Sequence, residues 1–390
     1  MDTPTDVLVL GAGYAGLACA LRLRQRAPQL AITVVDARAA FVERIRLHQR
    51  AAGQTIPQHP LPALLAGTGI EFVQARAHDL DAPGRALHTD VGVMRFDRLV
   101  IATGSTGTTT VPGAREHAIT IADLAGAEAF AAAFARLREG DPVCVVGGGP
   151  TSLELVTELA ATRPELHYAL VCAGTLGESW LAASALRKLQ ARLDALRITV
   201  VSRTAIARVE AGRLVDGHGG ALPFALCGWT AGMRAQAPGA LAQHDDASAR
   251  LRTDACLRAI AAPWISVIGD AGRPEPDLGA DAAMSCRLAL PAGIHAAENL
   301  AAQAQGRAPQ PWRIRDSLRC MSLGRDVGLV QLHHADGSLR AVSLGGAAGA
   351  FVKERIVRFT TWFLRRERDR ARRLSRALPP APRRAMVGAA

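Results

Sequence analysis

The sequence has few aromatic residues, few lysines and no long apolar segment. Aromatic residues make up 4% of the 390 residues, and Lys188 and Lys353 are the only lysines. No run of about 18 uncharged apolar residues occurs, which excludes a membrane-spanning helix. The seven cysteines form no CxxC pair, which argues against a metal site, a redox dithiol or a secreted framework. With an acidic N-terminus that resembles no signal peptide, these absences predict a cytoplasmic protein.

The length and the charge distribution narrow the class further. A chain of 390 residues suits two or three domains, and 49% apolar with 21% charged residues is typical of a globular protein. The net charge is +11, but residues 351–390 alone carry twelve Lys and Arg against three acids. Nucleic-acid enzymes usually spread basic residues along a groove, so this tail argues against a nucleic-acid partner.

The N-terminal segment predicts a dinucleotide site. An apolar strand at residues 5–10 precedes Gly11-Ala12-Gly13-Tyr14-Ala15-Gly16, a helix follows, and a second strand ends at Asp36. Gly11 makes the tight turn, Gly13 lets the backbone approach a pyrophosphate, and Gly16 lets helix and strand pack closely. The helix N-terminus supplies N–H groups for the phosphates, and Asp36 would accept hydrogen bonds from a ribose.

The pattern recurs in the middle of the chain and predicts a second dinucleotide site. A strand at residues 141–146 leads into Gly147-Gly148-Gly149, with Ser152 in the place of the third glycine. The next strand ends in Cys172-Ala173-Gly174, where a ribose-binding acid is expected. NADPH is therefore as plausible as NADH, although this short loop holds no evident arginine clamp. Two such sites imply a bound FAD and a diffusing NAD(P)H.

Three further segments, at residues 97–104, 225–232 and 264–271, follow in order. Together with the glycine motifs, they make residues 5–330 resemble the two-dinucleotide-domain flavoproteins. That family includes type II NADH dehydrogenases, ferredoxin reductases and disulfide reductases. The resemblance implies that Glu154 lies near the nicotinamide. It also implies that the cofactors are contacted by Ala102, Thr103, Gly104, Ala231, Gly232, Gly269 and Asp270.

Within that family, type II NADH dehydrogenases are the most similar branch. Residues 36–60 contain no cysteine, which excludes the disulfide reductases, and no cysteine spacing fits a sulfide:quinone reductase. Residues 147–159 and 321–325 look most like the type II enzymes. However, Pro291-Ala292 stands where those enzymes place Gln-Gln beside the quinone, so the resemblance leaves the acceptor open.

Residues 41–49 allow two interpretations. Arg44 and His48 could form a polar pocket for an anionic or hydroxylated substrate, with His48 as an acid or base near neutral pH. Alternatively, the segment is a solvated helix in which Glu43 pairs with Arg46 or Arg44. Under the first interpretation the catalytic candidates are Glu154, His48 and Arg44.

The C-terminal part predicts a small sheet and a basic helix. Alternating segments near residues 326–332 and 339–344 flank a turn, and we expect them to cover the flavin. In the following helix an apolar stripe is predicted from Val352, Ile356, Phe359 and Phe363. Residues 351–384 would meet an anionic membrane surface, dock on the protein's own body, or form a homodimer contact through the two phenylalanines.

These observations predict an α/β protein with two Rossmann-like dinucleotide-binding domains of three-layer ββα type and a small C-terminal α+β segment. The FAD-binding domain is expected at 1–112 with 255–305, the NAD(P)H-binding domain at 113–254, a cap at 306–350, and the basic helix and tail at 351–390. The predicted function is hydride transfer from NAD(P)H to flavin and electron transfer to a quinone-like acceptor, in the cytoplasm or on the inner face of the membrane. The alternatives are a biosynthetic flavoenzyme for a specific metabolite and a non-catalytic FAD-binding redox sensor.

Overall fold

The computed structural model describes residues 5–238, 248–275, 284–313, 318–334 and 336–377. The helices are α1 (Tyr14–Arg26), α2 (Leu47–Ala51), α3 (Leu61–Leu65), α4 (Ala114–His117), α5 (Leu124–Phe134), α6 (Pro150–Thr162), α7 (Ala183–Ala195), α8 (Cys286–Ala304) and α9 (Gly346–Ala377). The strands are β1 (Thr5–Leu10), β2 (Ile32–Asp36), β3 (Ala40–Val42), β4 (Gln58–Pro60), β5 (Glu71–Gln74), β6 (Ala77–Asp81), β7 (Ala86–Thr89), β8 (Gly92–Ile101), β9 (Ser105–Gly107), β10 (Ile119–Thr120), β11 (Pro142–Val146), β12 (His167–Val171), β13 (Ile198–Val201), β14 (Ile206–Glu210), β15 (Arg213–Asp216), β16 (Ala221–Pro223), β17 (Leu226–Trp229), β18 (Met233–Ala235), β19 (Leu251–Thr253), β20 (Arg258–Ala259), β21 (Ala262–Val267), β22 (Gly272–Pro274), β23 (Leu318–Ser322), β24 (Gly328–His333) and β25 (Leu339–Leu344).

The first sheet has a parallel centre in the order β21-β8-β1-β2-β5. Strand β1 is apolar along most of its length because both of its faces are covered, as is usual in parallel sheets. Helices α1 and α8 pack on one face, and the antiparallel strands β6 and β7 continue from β8 on the other side. The sheet therefore draws its strands from both ends of the chain.

The second sheet repeats this plan in the order β10-β17-β11-β12-β13, with all strands parallel. Helices α5, α6 and α7 share one apolar core with this sheet. The antiparallel strands β14, β15 and β16 border a separate apolar cluster on the other side. Two such layered units confirm the predicted α/β class with Rossmann-like domains. The domain boundaries placed after residues 112, 254 and 305 stay predictions.

The C-terminal segment folds into an antiparallel sheet of β23, β24 and β25 and the long helix α9. The sequence pattern indicated β24 and β25 but missed β23, whose residues are only half-buried apart from Met321. The sheet contacts α6, α7 and α9. It therefore joins the second sheet to the C-terminal helix.

Helix α9 docks on the protein's own body. Its buried side chains are Val357, Leu364, Glu367 and Ala371, so the buried face differs from the stripe predicted at Val352, Ile356, Phe359 and Phe363. The Glu367 carboxylate is fully buried, forms an ion pair with the Arg22 guanidinium at 2.8 Å and accepts a hydrogen bond from the Gln25 amide at 3.0 Å, both on α1. No helix of the described residues is both long and apolar enough to cross a bilayer. Residues 378–384 of the predicted membrane-binding segment lie outside the described residues.

Candidate active site

The first glycine turn joins β1 to α1 at the carboxyl edge of the first sheet. Gly11 has φ +103°, and a Cβ there would overlap the carbonyl oxygen of Ala102. A Cβ on Gly16 would overlap the carbonyl oxygen of Gly11. By contrast, a Cβ on Gly13 would meet no atom within 4 Å, because Gly13 faces an open cavity. Gly11 and Gly16 are thus required by packing, whereas Gly13 keeps space free at the helix N-terminus, where a pyrophosphate fits.

Asp36 ends the neighbouring strand β2 and borders the same cavity. Its Oδ2 accepts from the Ala12 N–H at 2.7 Å, and both carboxylate oxygens accept from the Arg38 guanidinium. Burial raises the pKa of Asp36, but the hydrogen bonds and charge of Arg38 and the Ala12 N–H outweigh it and leave the pKa below its usual value. Asp36 is therefore an ionised, fixed acceptor at the position expected for a ribose ligand.

The second glycine turn joins β11 to α6 in the same way. Gly147 has φ +143°, and a Cβ there would crowd the hydroxyl oxygens of Thr230 and Ser152. The buried Ser152 hydroxyl accepts from the Gly149 N–H at 3.2 Å. A Cβ on Gly149 would meet nothing within 4 Å. Serine thus replaces the third glycine of the motif without closing the turn, and the N-terminus of α6 stays open.

Both turns face one continuous cavity of about 2190 Å³. This volume exceeds the roughly 300–1000 Å³ of a usual small-molecule site, so the cavity can hold more than one ligand. Gly16, which lies behind the first turn, is the one predicted site residue that does not line it. The predicted residues that do line it are Gly11, Gly13, Asp36, Arg44, His48, Ala102, Thr103, Gly104, Gly147, Gly149, Ser152, Glu154, Ala231, Gly232, Gly269 and Asp270.

Asp270 stands at the centre of the cavity wall formed by the first sheet. It lies in a short turn after β21, in which Gly269 has φ +66°. Its Oδ2 accepts from the Ser105 hydroxyl at 2.7 Å and lies 4.0 Å from the Arg44 guanidinium. Arg44 also lies beside Gly104, the glycine of the turn after β8. These groups form a polar wall with both an anion and a cation, which suits the hydroxyl and phosphate groups of a dinucleotide.

A buried charged cluster lies where the two sheets and α9 meet. The Glu154 carboxylate, on α6, accepts from the Lys353 ammonium of α9 at 2.7 Å and from the Ser322 N–H of β23 at 3.1 Å. The His48 Nδ1 lies 3.8 Å from the Glu154 Oε2. His48 is 4% exposed, and its Nε2 has no hydrogen-bond partner among the described residues. Because His48 also lines the cavity, a bound group could supply the missing partner.

The protonation states in this cluster differ from the expectation for His48. Burial lowers the pKa of His48 to about 4, so the ring is neutral at pH 7 rather than titrating near neutral pH. Burial raises the pKa of Glu154, but the charge and hydrogen bond of Lys353 outweigh it, so the pKa lies below its usual value. At neutral pH the cluster is therefore an ion pair beside an uncharged imidazole.

The segment at residues 41–49 combines features of both interpretations. Glu43 does pair with Arg46, at 3.0 Å, but it also contacts His59 at 2.9 Å and is itself buried. Arg46 extends the network to Glu354 on α9 at 3.1 Å. The segment is thus not a solvated helix, since it contributes Arg44 and His48 to the cavity wall.

Sequence reasoning missed Lys353 and Arg38 as site residues. Lys353 is one of two lysines in the chain, and this rarity was the only feature that set it apart. It lies in the arginine-rich C-terminal segment, so its charge did not distinguish it from its neighbours. Arg38 lies two residues after the predicted ribose ligand, and its charge opposite Asp36 could have been noticed. Within the residues that the structure describes, no group of three or more His, Cys, Asp or Glu side chains could hold a metal ion.

A family model for pyridine nucleotide-disulphide oxidoreductases matches residues 5–285. The chain belongs to this family. An NADH dehydrogenase-like protein of Mycobacterium tuberculosis is 28% identical over 319 residues, which cover 76% of this chain and 80% of the relative. A type II NADH:quinone oxidoreductase of Staphylococcus aureus is 30% identical over 177 residues, which cover 41% of this chain and 44% of the relative. This family member is an oxidoreductase related to type II NADH dehydrogenases, with FAD and a nicotinamide as its cofactors.

Solved structures share the fold over nearly the whole chain. A sulfide:quinone oxidoreductase from Aquifex aeolicus has a TM-score of 0.80 at 18% identity, covering 93% of this chain and 92% of that one. NDH2 from Plasmodium falciparum in complex with NADH has a TM-score of 0.77 at 14% identity, covering 97% of this chain and 99% of that one. Of the cysteines whose side chains the structure describes, Cys320 alone lines the cavity, so these residues bring no pair of cysteines together there. The similarity to the sulfide:quinone oxidoreductase is therefore a similarity of fold.

The two contrasting glycines of the first turn allow a direct test of the FAD site. Gly13→Ala places a methyl group in the cavity, so we expect normal folding but FAD binding weakened by about tenfold or more. Gly16→Ala forces α1 away from the turn, so we expect the apoprotein itself to lose stability. Thermal unfolding of the apoprotein and titration with FAD separate the two effects. Equal FAD affinity for Gly13→Ala and the wild type would contradict this placement.

The pKa of His48 predicts a pH-dependent stability. The unfolded chain binds a proton below about pH 6.5, whereas the folded chain resists protonation down to about pH 4. The free energy of unfolding should therefore fall by about 1.5 kcal/mol between pH 6.5 and about pH 5, an interval in which carboxylates contribute less than they do at lower pH. His48→Gln should remove this loss. Urea unfolding at the two pH values measures it, and identical pH slopes for variant and wild type would refute the assignment.

Proposed function

We propose that the protein oxidises NAD(P)H through FAD and reduces a quinone-like small molecule. The observation that carries this proposal is the single cavity onto which both glycine turns open. Two dinucleotides bound at these turns share one enclosed space, which makes hydride transfer between their rings effectively intramolecular. When bound, FAD supplies a ring that accepts a hydride from the nicotinamide and releases the electrons to a second substrate.

The chain's own residues then provide binding and orientation. The turn at Gly11 and Gly13 would hold the FAD pyrophosphate at the N-terminus of α1, with Asp36 on the adenosine ribose. Asp270, held by Ser105 and facing Arg44, would bind the polar chain of the flavin. At the second turn, the open N-terminus of α6 would receive the nicotinamide dinucleotide in the same manner.

The proposed acceptor side of the cavity is largely apolar. Helix α8 lines it with Leu290 and Pro291, β23 with Met321, and α9 with Phe359. The same elements also contribute the cations Arg287, Arg319 and Lys353, of which Lys353 lies beside Glu154. A largely apolar wall with such cations suits a flat ring that carries carbonyl oxygens. Lys353 would donate a hydrogen bond to such an oxygen and stabilise the negative charge that grows there on reduction. Glu154 pairs with the Lys353 ammonium at 2.7 Å, and the neutral His48 adds a polar edge beside the pair.

Helix α9 also supports a place for the enzyme at the membrane surface. Docking leaves Phe351, Phe359 and Trp362 exposed at 64%, 52% and 51%. Arg355 stacks on Phe351 and Arg366 on Trp362, so aromatic rings and guanidinium groups share one outer face. Such a face suits the interface of an anionic bilayer, where a lipid-soluble acceptor is found, and it supports peripheral attachment to the inner face of the membrane.

The acceptor role of Lys353 can be tested separately from flavin reduction. Lys353→Met should lower turnover with a short-chain quinone by about tenfold or more, because the growing negative charge loses its partner. Turnover with ferricyanide, which needs no hydrogen bond in the cavity, should change far less. Steady-state assays with both acceptors measure this difference.

The matched control is Lys188→Met, the other lysine, whose ammonium donates to the Ser343 hydroxyl at 2.9 Å outside the cavity. It should leave quinone turnover unchanged. Quinone turnover that survives Lys353→Met intact would exclude this acceptor site. If the wild type reduces ferricyanide but no quinone, a specific metabolite takes the place of the quinone.

Membrane attachment predicts a loss of vesicle binding when the aromatic face is removed. The double variant Phe359→Ala, Trp362→Ala should co-sediment several-fold less with phosphatidylglycerol vesicles at low salt than the wild type. Ile260→Ala removes an equally exposed apolar side chain from the turn between β20 and β21 and serves as the control. A wild type that stays in the supernatant would refute the membrane proposal. A variant that changes from dimer to monomer on gel filtration would assign this face to a homodimer.

A further inference from the structure

The outer edge of the nicotinamide-side cavity lacks the acid that usually selects NADH. Strand β12 ends at Val171, and Cys172-Ala173-Gly174 follow. The Cys172 thiol is buried and lies 3.6 Å from the Ser202 hydroxyl, so it offers no charged acceptor to a ribose 2′-hydroxyl. Ala173 lines the cavity and carries no polar group. Residues 172–174, directly after the strand, therefore hold no carboxylate like the one that binds the two ribose hydroxyls in NADH-specific sites; the first acid in the loop is Glu178.

An arginine from the next crossover occupies this edge instead. Strand β13 lies parallel to β12, so the segment that follows it ends at the same edge of the sheet. The Arg203 N–H donates to the Gly174 carbonyl oxygen at 3.1 Å, and the Arg203 Nε donates to the Thr175 hydroxyl at 3.3 Å. The next residue, Thr204, lines the cavity. The Arg203 guanidinium itself does not line the cavity but lies over the loop after β12, between the lining residues Ala173 and Thr204 and the solvent.

Within the part of the chain that the structure describes, no carboxylate forms a salt bridge with Arg203. Arg208, by contrast, pairs with Glu210 at 2.6 Å. Glu178, three residues after Thr175 in the same loop, forms no salt bridge with Arg203 either. Arg203 also has φ +58°, a left-handed conformation that is uncommon for a residue with a side chain. Its side chain is exposed and free to bind an anion.

We infer that Arg203 binds the 2′-phosphate of NADPH, with the Thr175 hydroxyl beside it, and that NADPH is the preferred electron donor. A guanidinium group is well suited to a phosphate, because it offers charge and several N–H donors in one plane. No acid stands directly after β12, so no carboxylate at that position repels this phosphate. This inference rests on the proposed function for its context, since it names the donor used at the second glycine turn.

The adenosine half of the ligand tests the inference without any turnover. Isothermal titration calorimetry of the purified protein with adenosine 2′,5′-bisphosphate and with 5′-AMP measures the contribution of the 2′-phosphate. The wild type should bind the bisphosphate about 10–100-fold more tightly than 5′-AMP. Arg203→Gln should abolish this preference and leave the affinity for 5′-AMP unchanged.

Arg197→Gln is a matched control, because Arg197 precedes β13 at its opposite end, is also exposed, and has φ +54°. It should retain the preference. Ala173→Glu adds a carboxylate at the cavity edge and should weaken binding of the bisphosphate more than binding of 5′-AMP. Equal affinity of the wild type for the two nucleotides, or an equal effect of Arg203→Gln and Arg197→Gln, would overturn the inference.

Flavin reduction separates failure of the inference from failure of the proposed function. Under the inference, Arg203→Gln lowers kcat/KM for NADPH by about 10–100-fold and leaves kcat/KM for NADH within about twofold. If NADH reduces the flavin as well as NADPH does and the bisphosphate binds no tighter than 5′-AMP, the inference fails while the proposed function stands. If neither nicotinamide reduces the flavin but the bisphosphate still binds through Arg203, the proposed function fails and the binding site stands.

Discussion

Backbone crowding at the ends of β1 and β11 shapes the two turns on which the proposed cofactor sites depend. In both turns the first glycine has a positive φ, and a Cβ there would collide with a neighbouring strand or side chain. In both turns a later glycine faces empty space at a helix N-terminus. The two turns open towards each other, and the cavity between them follows from that orientation. Asp36, Asp270 and Glu154 can contact a ligand only because they line this cavity.

The C-terminal helix completes the site from outside the two sheets. Its buried Glu367 binds Arg22 of α1, and this contact holds the helix in register along the body. One end of the docked helix then places Lys353 against Glu154, so a single element closes the acceptor side and carries one of its cations. The same docking leaves the aromatic face turned outward. The proposed attachment to a membrane and the closure of the cavity would thus depend on the same helix.

Local motifs could be predicted from the sequence, whereas contacts between distant segments could not. Six adjacent residues are enough to identify each glycine turn, and Asp36 could be identified because it ends the strand that follows the first turn. The Glu154–Lys353 pair depends on how α9 docks, and apolar residues on more than one face of that helix made the buried side ambiguous. Arg203 meets the loop after β12 from a different crossover, so the residues of that loop alone could not indicate it. The low pKa of His48 arises from burial, which composition does not reveal.

The most direct test of the account is anaerobic mixing of the FAD-loaded protein with NADPH in a stopped-flow spectrometer. If both rings share the cavity, the yellow absorption of the oxidised flavin should bleach completely, at a rate that saturates with NADPH concentration. Saturation would show that the nicotinamide binds before it reacts. A protein that binds FAD but keeps its yellow colour with both NADPH and NADH would contradict the claim that the two glycine turns serve one reaction.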